Sequence, residues 1–124
     1  SDFCDDEQAK KIIKIYYENG GYLADPHTAV ALFCAARYKK QTGDGAKCLV
    51  VSTASPFKFC ESVLSALDGG SYESSPDLLR VLSEKTGIPI PRPLAGLDGA
   101  EIRFEMSVKK NEIDGAVRKL LGLY

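Results

Sequence analysis

The chain has 124 residues, 44% hydrophobic and 27% charged, with 16 basic against 17 acidic side chains for a net charge of −1. That length suits one domain, residues 1–124, able to bury roughly two thirds of the surface its unfolded form exposes. Like-charge runs stop at two or three residues (Asp5-Asp6-Glu7, Lys39-Lys40, Lys109-Lys110) and no apolar run nears the ~20 residues of a bilayer span, so neither a nucleic-acid nor a membrane partner is expected.

Asp5 or Asp6 can cap a first helix whose Ala9, Ile12, Ile13 and Tyr16 share one stripe, with Gly20-Gly21 as its stop. A second helix is predicted from Pro26 to about Thr42, since Asp25 is a good N-cap and Pro26 suits the first turn. Val30, Phe33, Cys34 and Tyr38 lie on one side of it, with Ala29, Ala31, Ala35 and Ala36 spread around the rest. So many alanines admit neighbouring backbone from several directions, as in a helix enclosed by a larger domain.

The next run, Cys48-Leu49-Val50-Val51-Ser52, is apolar without alternation and predicts a strand over about 48–52 covered on both faces, as in a parallel sheet. Ser55 and Pro56 then start a third helix, with Phe57, Cys60, Val63, Leu64 and Leu67 as its buried stripe up to Gly69-Gly70. Ser75-Pro76 repeats that start for a fourth, carrying Leu78, Leu79 and Leu82 to a stop at Gly87. Pro89, Pro91 and Pro93 force an extended connecting arm.

Ile102, Phe104, Met106 and Val108 alternate with Arg103, Glu105 and Ser107, the pattern of a half-exposed edge strand over about 102–108. A fifth helix, opened by Asn111, carries Ile113, Val117, Leu120 and Leu121. The expected fold class is therefore α/β: about five helices, one buried parallel-type strand and one edge strand. A parallel-type strand needs neighbours on both sides, so either the two strands pair in a small α+β domain or the neighbouring strands belong to other polypeptide.

The four cysteines, Cys4, Cys34, Cys48 and Cys60, include no closely spaced pair, and His27 is the sole histidine, so no metal site is expected. Cys34 and Cys60 on helix faces and Cys48 on the strand read as buried, reduced thiols of a cytoplasmic protein. No glycine-rich phosphate loop, nucleophile elbow or carboxylate cluster is present.

Ser52, Thr53 and Ser55 converge where the predicted strand gives way to a helix, the edge at which open α/β sheets bind ligands. Their hydroxyls and the helix N–H groups suit an anionic or electron-rich ligand, although Ser55 reads equally as an N-cap and Thr53 as a turn residue. Lys58 in the first turn opposes the helix dipole and calls for an anionic partner, the alternative being a solvated lysine. His27, second in its helix, has no evident nucleophile beside it in sequence and reads as a helix-packing residue.

Two motifs carry a resemblance. Asp25-Pro26-His27-Thr28-Ala29-Val30, followed by a predicted strand and Thr53-Ala54-Ser55-Pro56-Phe57-Lys58-Phe59, resembles the C-terminal part of threonine synthases, which are fold type II pyridoxal-phosphate enzymes. A looser likeness runs from about Phe3 to the C-terminus, through the Ile88-Pro89-Ile90-Pro91 arm. The resemblance implies conversion of O-phosphohomoserine and water to L-threonine and phosphate. It implies that Thr53, with Ser52 as the substitute, binds the pyridine nitrogen of pyridoxal phosphate, with His27, Lys58 and Ser55 on the cleft or substrate side.

The family's Schiff-base lysine lies in a Ser-Phe-Lys-Asp context that this sequence lacks, as it lacks the phosphate-holding loop. Lys58 matches the later motif, not that lysine. No catalytic residue is therefore expected within this chain, which should be inactive alone and need the N-terminal part of the same polypeptide as its partner. Exposed sheet edge or apolar helix face would favour self-association. The alternatives are a segment of a related pyridoxal-phosphate phospho-lyase, or a free-standing α+β module binding a small anion or a protein.

Overall fold

The computed structural model describes residues 2–101 and 106–123. Helix α1 (Asp6–Gly20) opens on a reciprocal capping box: Asp5 Oδ1 accepts from the Gln8 N–H at 2.8 Å, and Gln8 Oε1 accepts from the Asp5 N–H at 3.0 Å. It closes at Gly21, whose φ of 66° is a conformation that glycine adopts without steric cost. Helix α2 (Pro26–Thr42) starts from the Asp25 cap with Pro26 at its first position.

Helices α3 (Cys60–Asp68), α4 (Leu78–Thr86) and α5 (Ile113–Leu120) follow. Ser55 and Pro56 start a 3-10 turn, Pro56–Lys58, and the backbone breaks at Phe59 (φ −133°, ψ 40°) before α3 begins. The helix predicted from Ser55 is thus two pieces. Ser75 likewise organises a turn, accepting the Leu78 N–H on its carbonyl, and α4 proper begins only at Leu78. Asn111 lies in a 3-10 turn, Lys110–Glu112, just ahead of α5.

Helix α1 packs across both α2 and α3, and α4 packs against α3. Their shared core contains Ala9, Ile13, Ala29, Val63, Leu64 and Leu82, each buried, and Phe57 belongs to the same cluster. Fully burying a Leu or Val side chain stabilises by about 1.5–3 kcal/mol, which lets a few such residues fix the arrangement. Two polar ties add to it. Tyr17 donates its hydroxyl to the Thr86 carbonyl at 3.3 Å, joining α1 to the end of α4. Asp68 accepts from the Tyr72 hydroxyl (2.6 Å), the Gly70 N–H (2.8 Å) and the Lys85 ammonium (2.9 Å), clasping α3 to α4.

The α/β expectation is corrected: among the described residues the fold is all helical. Residues 48–52 form no strand, and far from being covered, Leu49 is 90% exposed and Val51 69% exposed. An apolar run fixes a preference for burial, but a strand exists only where a second chain segment takes its N–H and C=O groups. No described segment does so. Of the predicted edge strand, 102–105 lie outside the described residues, while Met106, Ser107 and Val108 are exposed and outside any strand.

The cysteines also divide differently from expectation. Cys60 is buried, with burial pushing its thiol pKa up, and its Sγ sits 3.2 Å from the Phe57 carbonyl. Cys4 and Cys34 are only partly buried, and Cys48 is exposed, since the strand predicted to begin with it is not formed.

Candidate functional site

The start of α2 and the segment before α3 meet around one buried carboxylate. Asp25 is 1% exposed. Its Oδ1 accepts the N–H groups of His27 (3.0 Å) and Thr28 (3.3 Å), two of the four amides that a helix start leaves without intrahelical partners. Its Oδ2 accepts the Thr28 hydroxyl. Burial alone would raise the Asp25 pKa, but the Thr28 hydroxyl and the two amides outweigh it and hold the carboxyl below its ordinary value. The group is an ionised, fully coordinated cap.

Ser52 reaches the same carboxylate from 27 positions away. Its Oγ lies 3.0 Å from Thr28 Oγ1 and 3.4 Å from Asp25 Oδ2. Thr28 has one hydroxyl proton, and the carboxylate, the stronger acceptor, takes it; the Ser52 hydroxyl therefore donates into the pair. Thr53 is exposed and stands outside this network. The structure thus turns one hydroxyl of the Ser52-Thr53 pair inward and leaves its neighbour open to solvent.

The other predicted residues fall nearby or elsewhere. Ser55 Oγ accepts the Phe57 N–H at 3.3 Å, the cap of the 3-10 turn. His27 is exposed and meets Phe59 edge-on, with ring centroids 5.1 Å apart at 80°. Through that contact the Asp25 and Thr53 motifs touch a second time. Lys58 lines a different feature, an open cleft of about 360 Å³ formed with Phe57, Glu61, Ser75, Leu79 and Leu94. The structure brings Ser52 and the first turn of α2 together and sets Lys58 apart on that cleft wall.

Sequence reasoning did not single out Asp25 and Thr28 as site residues. The signal available was their spacing: an Asp cap with Thr three positions on can place a hydroxyl over the free carboxylate oxygen. Nothing in the sequence marks Ser52 as the third member. Among the described residues no group of three or more His, Cys, Asp or Glu could hold a metal ion, and no helix is long and apolar enough to cross a membrane.

Thr28 and the Ser52-Thr53 pair both fall within a match to a known family. Residues 28–118 match the family model described as threonine synthase, C-terminal. The chain belongs to the threonine synthase C-terminal family. Threonine synthase-like 1 of Homo sapiens is 31% identical over 100 residues, covering 69% of this chain and 13% of that protein. Threonine synthase-like 1 of Macaca fascicularis is 32% identical over the same shares, and that of Mus musculus 30% identical over 92 residues, 73% of this chain and 12% of the relative. The threonine synthase-related chain therefore spans about 13% of the length of the curated relatives it matches.

Proposed function

We propose that this chain supplies one wall of the cofactor cleft of a pyridoxal-phosphate-dependent threonine synthase, the remaining walls coming from a longer stretch of the same polypeptide. The observation that carries the reading is the family match over 28–118, which takes in Thr28 and the Ser52-Thr53 pair. The donor set suits one edge of the cofactor. An exposed, uncharged hydroxyl at Thr53 can hydrogen-bond a pyridine nitrogen without holding a proton on it, unlike a carboxylate, and so moderates electron withdrawal by the ring.

When bound, the cofactor supplies the electron sink for removing phosphate from O-phosphohomoserine and adding water to give L-threonine. This chain's residues have the narrower tasks of orienting the ring and covering one face. Thr53 meets the ring nitrogen, and Ser52 stays committed to Asp25 and Thr28. His27 and Ser55 shape the adjoining wall. Lys58 lies on the outer cleft, and with Glu61 beside it in the lining that cleft is a poor site for a lone anion. That argues against the free-standing small-anion module. The compartment that fits the thiols and this biosynthetic role is the cytoplasm.

The exposed apolar surface supports a dependence on further polypeptide. The total accessible surface is 9378 Å², against roughly 6,500 Å² expected of a folded monomer of this mass. Helix α5 shows Ile113, Val117 and Leu120 to solvent, as does Leu121 just after it, and Leu49 and Val51 are bare. These surfaces dock against the rest of the enzyme.

The test is Thr53→Val in the full-length polypeptide. Removing one hydrogen bond to the ring should weaken pyridoxal-phosphate binding by roughly tenfold and slow threonine formation. Unchanged affinity and turnover would remove Thr53 from the site.

A further inference from the structure

An Asp N-cap needs only one carboxylate oxygen, and here Oδ1 alone satisfies the His27 and Thr28 amides. The second oxygen is taken up by side chains. It holds the Thr28 hydroxyl, and that hydroxyl meets Ser52 from a different part of the chain. The Asp25 carboxylate is 1% exposed and Thr28 is 4% exposed, so the Ser52 contact is anchored in the protein interior. Residues 46–53 are otherwise poorly held: all but Val50 are exposed. Among the described residues, the hydrogen bonds joining this segment to the helices run through Ser52.

We propose that Asp25 and Thr28 are positioning residues: Thr28, held by the Asp25 carboxylate, grips Ser52 and thereby fixes the backbone from which Thr53 presents its hydroxyl to the cofactor. The inference rests on the cofactor role proposed above for Thr53, and adds the device that sets its position. A lone exposed threonine on a loosely held segment would lose orientational entropy each time it bound a ring. Gripping the preceding residue removes that cost beforehand, the general advantage of preorganisation. The arrangement also explains a hydroxyl at position 28, since a valine there would fill the same space and leave Oδ2 with only the longer, 3.4 Å contact to Ser52.

Three substitutions test this: Thr28→Val, Thr28→Ser and Thr53→Val. The first readout is the backbone amide order parameters of Ser52 and Thr53 in this chain. They should lie near 0.85 in the parent, fall below about 0.6 in Thr28→Val with α2 still helical, and return in Thr28→Ser. The second is pyridoxal-phosphate affinity of the full-length polypeptide, followed by the absorbance of the bound cofactor. It should weaken by roughly tenfold in Thr28→Val and in Thr53→Val, and recover in Thr28→Ser.

Order parameters unmoved by Thr28→Val would overturn the grip. Weakened binding in Thr53→Val but not in Thr28→Val would overturn the positioning role while leaving the cofactor role of Thr53 intact. Unchanged binding in both variants would sink the cofactor role itself, and the positioning claim with it.

Discussion

Ile13, Val63, Leu64 and Leu82, contributed by α1, α3 and α4, are almost wholly buried, whereas Leu49, Val51, Ile113, Val117, Leu120 and Leu121 stand in solvent. Both groups are equally apolar. What separates them is whether the chain supplies a second element to cover them. The helical part carries its own partners: α1 lies across α2 and α3, and α4 closes on α3. Among the described residues, the 46–54 segment and α5 carry an apolar face without one. Stability in this chain belongs to the first part, and its proposed function depends on surfaces that the second part offers to other polypeptide.

The sharpest way to break that division is to truncate side chains on both sides of it. Leu64→Ala or Leu82→Ala should cost about 2–5 kcal/mol in urea unfolding of this chain, each leaving a cavity in a close-packed interior. Leu120→Ala should change the same measurement by no more than about 0.5 kcal/mol. Equal losses would mean that α5 is part of the core.

Asp25→Ala comes next. It removes both the cap and the acceptor of the Thr28 hydroxyl, and should cost about 1–2 kcal/mol, with circular dichroism showing loss at the α2 start. Asp25→Asn retains a cap oxygen and should cost less.

How much of this was legible in the sequence follows the same line. The helix starts at Asp5 and Asp25, and the ends near Gly21 and Thr42, could be read because a cap and its amides lie within a few residues of one another. The supposed strand at 48–52 was misread because a short apolar run says nothing about the presence of a hydrogen-bonding partner. The break at Phe59 was hidden for a related reason: Ser55-Pro56 announces a helical turn but not how far it continues. At the site, Ser52 and Thr53 drew notice as hydroxyls, yet which of them faces inward depends on Thr28, more than twenty residues away.

A smaller effect is expected from the Asp68 clasp. The Tyr72 hydroxyl first, then the Lys85 ammonium and the Gly70 amide, hold the Asp68 carboxyl well below the usual carboxylate range. A lowered folded-state pKa means that the unfolded chain binds the proton more readily. The clasp thus contributes fully above about pH 4, the unfolded value, and its contribution is lost as pH falls from there toward the folded pKa. Asp68 lies at the surface, where solvent screens the interaction, so the loss should be modest. Asp68→Asn should flatten the acid limb of a melting-temperature profile, and an unaltered limb would assign it to other carboxylates such as Asp25, whose shift has the same sign.

The least effect on this chain's own melting is expected from Leu120→Asp, since Leu120 is exposed on α5. In the full-length polypeptide the same substitution should impair folding or assembly, because it would place a charge in a covered apolar contact. A variant that is silent in both settings would leave the α5 face without a docking role.

The central claim, that this chain forms one wall of a pyridoxal-phosphate enzyme, is tested most directly on the native polypeptide that carries the Asp25-to-Val30 and Thr53-to-Phe59 peptides. Its intact mass should be measured before and after borohydride reduction. The account predicts a polypeptide several times longer than 124 residues, with the reduced cofactor attached to a lysine upstream of Ser1. A native chain carrying no reducible cofactor on any lysine would contradict it.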